Sequence, residues 1–392
     1  MAAPKSPCSG AFNNTAQTIS ECYICNDNIS NHNTYNEHII LNSLGGKLKS
    51  KSLICKQCAP SLDRIDAALS RSLNSFGLLL NIPRDRGTNP PIQATRTDNG
   101  EQISLDSGGK PVFIKPIIRD NLADNEQPSL SIIAKNQKQM RKVLTGFKRK
   151  YPSLNVEEIL EIAVPRQEYI PRVNINMSFG DEELRSACKM AMNYYMYHGG
   201  KRDLIAHLIP YIQDGCENQY VGYYYPDKLI ATSKPSESFI HTLFVKGNPQ
   251  EEILYGYIEL YNAFRLIILL SDSYRGEFFQ KVYSFDVLSR KEVDKEINID
   301  VCRKEILILV NNSEPPVEKI ASAIKVLVDA IKLNQINKAI NKVIEDFFQN
   351  IPEGTIFDEK MSQELISNLS KEFCGFMYRD LDPHQPNFDA NY

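Results

Sequence analysis

Two Cys-x-x-Cys pairs, Cys22-Tyr-Ile-Cys25 and Cys55-Lys-Gln-Cys58, restrict what this chain can fold into. Each pair places two thiols on one tight turn, and 29 residues separate Cys25 from Cys55. Four soft ligands in two knuckles suit a tetrahedral Zn²⁺ at about 2.3 Å per Zn–S bond, with every position filled and none open to substrate. Chance pairs and a redox dithiol are the competing explanations of the same spacing. The other cysteines, at 8, 188, 216, 302 and 374, sit in no motif. An odd total without a secretory signal favours reduced thiols over a disulfide framework. A metal also answers a size problem, because about sixty residues bury too little apolar surface to be stable unaided.

The whole chain is longer than one such module. Its 392 residues suggest two or three domains on the usual scale of roughly 100–200 residues each. With 42% hydrophobic and 24% charged residues it belongs with globular proteins, which excludes collagen-like and disordered classes. The longest apolar run, Leu266-Ile-Ile-Leu-Leu270, is far short of a bilayer span, and residues 1–14 lack a signal-peptide core. A cytoplasmic protein is the expectation. By composition, residues 1–20 read as a flexible arm and 21–82 as a compact domain with an amphipathic helix carrying Leu62, Ile65, Leu69 and Leu73. Residues 83–129 read as a connector with small hairpins near Asp98-Asn99-Gly100 and Ser107-Gly108-Gly109. Residues 130–392 read as a larger domain that selects the target, regulates or dimerises. There, helical patterns at 137–151 and 181–197 and β-rich runs at 173–177, 220–225, 241–245 and 254–270 do not alternate strictly. An α+β fold ending in helices is therefore expected rather than a doubly wound sheet.

Between the knuckles lies Glu37-His38-Ile39-Ile40, followed by Leu44-Gly45-Gly46-Lys47-Leu48 and then Leu53-Ile54-Cys55. Neighbours on a strand point to opposite sides, so a metal held by Glu37 and a water-activating His38 could flank one phosphate. This stretch, over roughly residues 22–66, resembles the HNH endonucleases, in particular the subgroup whose ββα-metal finger is braced by a four-cysteine zinc knuckle. The resemblance implies that His38 is the general base and Glu37 a ligand of a catalytic Mg²⁺ or Mn²⁺. It also implies that Ser52, at a position commonly Asn, orients the base loop. One departure stands out: where the family carries Asn or His as the other metal ligand, this chain has Ala59. A methyl group has no lone pair. Either Asp63 or Asp66 supplies the ligand instead, or the ligand was replaced in an inactivated form, or the nuclease is degenerate; the intact remainder of the motif favours the first two.

Charge agrees with a phosphate partner. Between residues 37 and 71, Lys47, Lys49, Lys51, Lys56, Arg64 and Arg71 outnumber Glu37, Asp63 and Asp66, in a chain whose net charge is −3. Lys47, Lys49, Lys51 and Lys56 are the expected nucleic-acid contacts, with a solvated lysine-rich loop as the alternative. Further along, Arg185, Lys189, Lys201 and Arg202 could hold a phosphate or a modified base, or stay hydrated. His198, His207 and His241 lack ligand spacing and read as structural, and the tyrosines of 220–225 and 255–261 read as core. The expected function is a metal-dependent endonuclease acting on double-stranded DNA, of the kind that serves bacterial restriction or anti-phage defence. A second copy of the chain is an open partner. Two alternatives stand beside it: an effector nuclease gated by a small signalling nucleotide in the C-terminal domain, and a non-catalytic zinc-bearing DNA-binding protein.

Overall fold

A computed structural model describes residues 20–380, apart from 86, 99, 114, 122–128, 135, 164–172, 217–218, 227–237, 296, 298, 300 and 313. The expected arm, except Ser20, lies outside the described residues, as does Cys8. Strands β1 (Ser20–Glu21) and β2 (Asn28–Ile29) pair across the first knuckle, and Asn26, at φ +67°, turns the chain between them. Strands β3 (Glu37–His38) and β4 (Lys49–Ser50) pair antiparallel, with Glu37 opposite Ser50 and His38 opposite Lys49. The Gly45-Gly46 turn between them needs both glycines. Gly45 has φ +93°, and a Cβ on Gly46 would lie 2.1 Å from the Ile40 carbonyl oxygen. Helices α1 (Asp63–Ser72) and α2 (Asn74–Leu79) follow the second knuckle. The stripe of Leu62, Ile65, Leu69 and Leu73 is buried, as its spacing requires.

Residues 92–133 form small antiparallel units. Strands β5 (Ile92–Arg96), β6 (Gln102–Asp106) and β7 (Lys110–Phe113) meander, and β8 (Ile117–Asn121) pairs with β9 (Ser129–Ile133). The turns fall where Gly100, Gly108 and Gly109 adopt positive φ. Helices α3 (Gln137–Lys150) and α4 (Val156–Ile162) come next, and the short β10 (Val173–Asn174) returns to the edge of β5.

The larger body is built on helix α5 (Asp181–Tyr197), helix α6 (Ile209–Asp214) and an antiparallel six-stranded sheet. The strands are β11 (Val221–Tyr223), β12 (Ile240–Asn248), β13 (Ile253–Leu260), β14 (Phe264–Ser271), β15 (Phe279–Asp286) and β16 (Lys291–Glu292), in the order β11-β14-β13-β12-β15-β16. The β-rich run 254–270 is two strands, divided where Tyr261 and Asn262 take φ of +55° and +57°. Helix α5 covers one face, and helix α7 (Arg303–Asn311) packs on the other with Ile306 and Val310. Covering both faces explains why β13 and β14 are almost continuously apolar. Helices α8 (Val317–Gln349) and α9 (Glu359–Asp380) close the chain, and α8 buries Leu327 and Ile331. The architecture is mixed α+β. Among the described residues no helix is long and apolar enough to cross a membrane.

The apolar core of residues 22–82 is continuous with that beneath α5 and the sheet. A buried histidine helps to seal the seam. His241 on β12 donates from Nε2 to the Leu44 carbonyl oxygen at 2.9 Å, and its Nδ1 accepts from the Tyr261 amide at 3.1 Å. Both nitrogens are satisfied only by the neutral ring, and burial pushes its pKa down to about 4. The unfolded chain therefore takes up a proton near pH 6.5 that the folded chain refuses until about 4. Stability is intact above pH 6.5 and falls as the pH drops toward 4, by an amount on the order of 3 kcal/mol from this residue. Denaturant melts at pH 7 and pH 4 are expected to show a smaller acid loss in His241→Gln than in the wild type; equal losses would remove this explanation.

Candidate functional site

The four cysteines converge. Their Sγ atoms all lie within 4.8 Å of one another, and Cys25 and Cys55 Sγ are 3.8 Å apart. Local hydrogen bonds shape both knuckles: the Cys22 amide donates to the Asp27 carbonyl, and the Cys58 and Ala59 amides donate to the Cys55 carbonyl. Tyr23 N–H donates to the Leu53 carbonyl oxygen at 3.0 Å, which joins one knuckle to the other. Arg202 secures the first turn from outside, donating to the carbonyl oxygens of Tyr23 and Ile24 at 2.9 and 3.2 Å. Four thiols so placed fit a metal ion such as zinc, whose role would be to hold the knuckles closed.

Glu37 and His38 face opposite ways from β3, as neighbours on a strand must. Glu37 points inward and is 5% exposed. Its Oε1 lies 2.5 Å from Lys189 Nζ and accepts from Asn193 Nδ2 at 3.0 Å. The same Lys189 ammonium, 2% exposed, lies 2.5 Å from Asp66 Oδ2 on α1. Ser186 Oγ donates to the other oxygen of Asp66 at 3.0 Å, and the Tyr23 hydroxyl donates to Asn193 Oδ1 at 2.8 Å. Ser186, Lys189 and Asn193 are spaced three and four apart, so one face of α5 meets the finger. Burial lowers the affinity of Lys189 for its proton, but the Asp66 and Glu37 carboxylates outweigh this and hold the ammonium above lysine's ordinary range. Burial pushes the Glu37 carboxyl up, and Lys189 opposes that rise.

The expected catalytic divalent ion does not fit these residues as they stand. Glu37 and Asp66 are already joined through a cation. Ala59 is buried at the start of a 3-10 turn, its side chain offering no donor, and Asp63 is exposed at the N-terminal end of α1. Of the two carboxylates expected to supply the missing ligand, Asp66 does lie with Glu37 around one cation, but that cation is the Lys189 ammonium.

His38 faces a different group. Its Nε2 is 3.6 Å from Asp85 Oδ2, and it is buried with no hydrogen-bond partner among the described residues. Burial holds the imidazole below its ordinary pKa, Lys49 acts in the same direction and Asp85 opposes. Asp85 is also 2.5 Å from Lys47 Nζ, 4.0 Å from Lys49 Nζ and 3.9 Å from Arg290 Nη2. The hydrogen bond from Lys47 is the main reason that its carboxyl falls to about 2. One carboxylate thus sits among three cations beside an imidazole. Asp85 and Arg290 belong to no motif in the sequence: Asp85 lies between two arginines in the connector, and Arg290 stands beside Lys291 after β15. Lys51 and Lys56 are exposed and lie outside these ion pairs. Ser52 shares its hydroxyl with Ser50 on β4 at 2.8 Å rather than with His38. Arg185, Lys189 and Arg202, readable as phosphate contacts, instead make internal bonds; Arg185 donates to the Ile212 and Gln213 carbonyls.

Residues 22–74 match the family described as HNH endonuclease. The segment expected from the motif, 22–66, falls within that match. No curated protein and no solved structure matches the chain.

Metal analysis of the purified chain should find one tightly held ion per chain, absent from Cys55→Ser. Losing several kcal/mol of metal-linked folding energy should lower Tm by about 10 °C. An unchanged metal content would contradict the four-cysteine site.

Proposed function

We propose that this chain is a DNA endonuclease of the HNH type, with a zinc-braced ββα finger carrying the chemistry and the α+β body carrying specificity or control. The observation that supports this most is the place of His38, within the HNH-matching segment and beside a seat for an anion. Lys47, Lys49 and Arg290 surround the Asp85 carboxylate as they would a backbone phosphate. DNA would enter by displacing Asp85. His38 Nε2 would take the proton of the attacking water as the new P–O bond forms and the bond to the leaving sugar oxygen breaks. The three cations would stabilise the charge gathered on the phosphate, and the departing oxygen would take a proton from solvent. Glu37 and Asp66, engaged by Lys189, take no part in this step. Zn²⁺ is the proposed knuckle ion, double-stranded DNA the substrate, and restriction or anti-phage defence in the cytoplasm the setting.

A second reading, a zinc-bearing DNA-binding protein without catalysis, is favoured by Ala59 together with the commitment of Glu37 to Lys189.

Plasmid cleavage tests the first reading. Wild type and Ala59→Asn would be incubated with supercoiled DNA and Mg²⁺ or Mn²⁺, each with and without His38→Ala. Strand breaks that fall at least about 100-fold on removing His38 are expected. Breaks that survive the substitution would contradict the base, and binding without breaks in every form would establish the second reading. In binding assays, Lys47→Ala with Lys49→Ala should weaken DNA affinity about tenfold and reduce the slope against log salt by about 2. An unchanged slope would place the DNA elsewhere.

A further inference from the structure

We infer that Lys189 is the chain's own cation at the position where an HNH finger would hold its catalytic metal, and that the folded chain therefore excludes a divalent ion there. The inference rests on the HNH reading of Glu37. Its geometric basis is the double bridge: one ammonium lies 2.5 Å from a carboxylate oxygen on β3 and 2.5 Å from another on α1. Those two elements carry Glu37, a metal ligand on the HNH reading, and Asp66, a candidate for the ligand missing at Ala59. An ammonium has three donors and needs no octahedron of oxygen ligands, so two carboxylates can satisfy most of it. Mg²⁺ demands close to six oxygens at about 2.0–2.1 Å, and here Lys189 and Asn193 share Glu37 Oε1 while Lys189 and Ser186 take the two oxygens of Asp66.

Lys189 cannot easily swing aside. It lies within a stretch of α5, Glu183 to Tyr195, that is buried throughout, and the neighbouring polar groups Ser186 and Asn193 hold the same two carboxylates. A divalent ion entering beside the ammonium would meet strong like-charge repulsion in a water-poor site. Either the ion or the lysine occupies the seat. Lys189 is therefore a positioning residue that fixes the finger on α5. Restoring Asn at 59 would add one ligand without vacating the seat.

Mn²⁺ binding, read by the electron paramagnetic resonance of the free ion, tests this without reference to cleavage. Zinc-loaded wild type, Ala59→Asn and Glu37→Gln are expected to bind Mn²⁺ alike, with no site that depends on Glu37. Lys189→Ala should gain one Mn²⁺ per chain, which Glu37→Gln in that background removes, and its melting temperature should rise by several degrees on adding Mn²⁺. A Mn²⁺ site in the wild type that Glu37→Gln abolishes would overturn the inference, as would a folded Lys189→Ala that gains none. If Lys189→Ala does not fold, the comparison of wild type with Glu37→Gln decides alone: equal binding upholds the exclusion, and a Glu37-dependent site refutes it. Failure here leaves the His38-dependent cleavage test untouched.

Discussion

A charged ammonium buried between two carboxylates joins the N-terminal finger to the rest of the protein. Removing an ion from water costs several kcal/mol, and that cost is offset only when partners are close and the remaining hydrogen-bonding groups are satisfied. Lys189 meets both conditions, through Glu37 and Asp66 directly and through Asn193, Ser186 and Tyr23 around them. Such an arrangement tolerates little displacement. The docking of α5 against β3 and α1 is thereby fixed, and the apolar core can run without interruption from the knuckles to the sheet.

That fixed joint sets what each face of β3 can do. Glu37 is committed inward, and His38 is left facing Lys47, Lys49, Arg290 and Asp85. On the proposed reading, both positions for reaction partners are filled by groups of matching charge from the chain itself: an ammonium in place of a metal and a carboxylate in place of a phosphate. Asp85 is exposed in a loop, whereas Lys189 is held within a buried helix.

The sequence revealed what depends on local spacing. Each Cys-x-x-Cys turn, the apolar periodicity of helices α3 and α5, and the buried stripe Leu62, Ile65, Leu69 and Leu73 are written in residues close together in the sequence. Glu37 and His38 facing opposite ways follows from strand geometry alone. Contacts across long stretches of chain left no such trace. Lys189 meets Asp66 from 123 residues away, and Asn193 meets Glu37 from 156. A lysine on a helix beside an arginine looks the same whether it is solvated, bound to phosphate or buried in an ion pair. Ser186, Lys189 and Asn193 do share one helix face, but Glu183 and Arg185 are buried on the same helix, so the row does not stand out in the sequence. Asp85, within a stretch read as connector, was equally silent.

The most direct measurement is an anomalous-scattering crystal structure of the zinc-loaded wild type grown with Mn²⁺, with data at the zinc edge and at a wavelength sensitive to manganese. A zinc peak amid Cys22, Cys25, Cys55 and Cys58, with no manganese peak between Glu37 and Asp66 and Lys189 Nζ in contact with both carboxylates, is the predicted result. A manganese peak there, with Lys189 displaced, would contradict it.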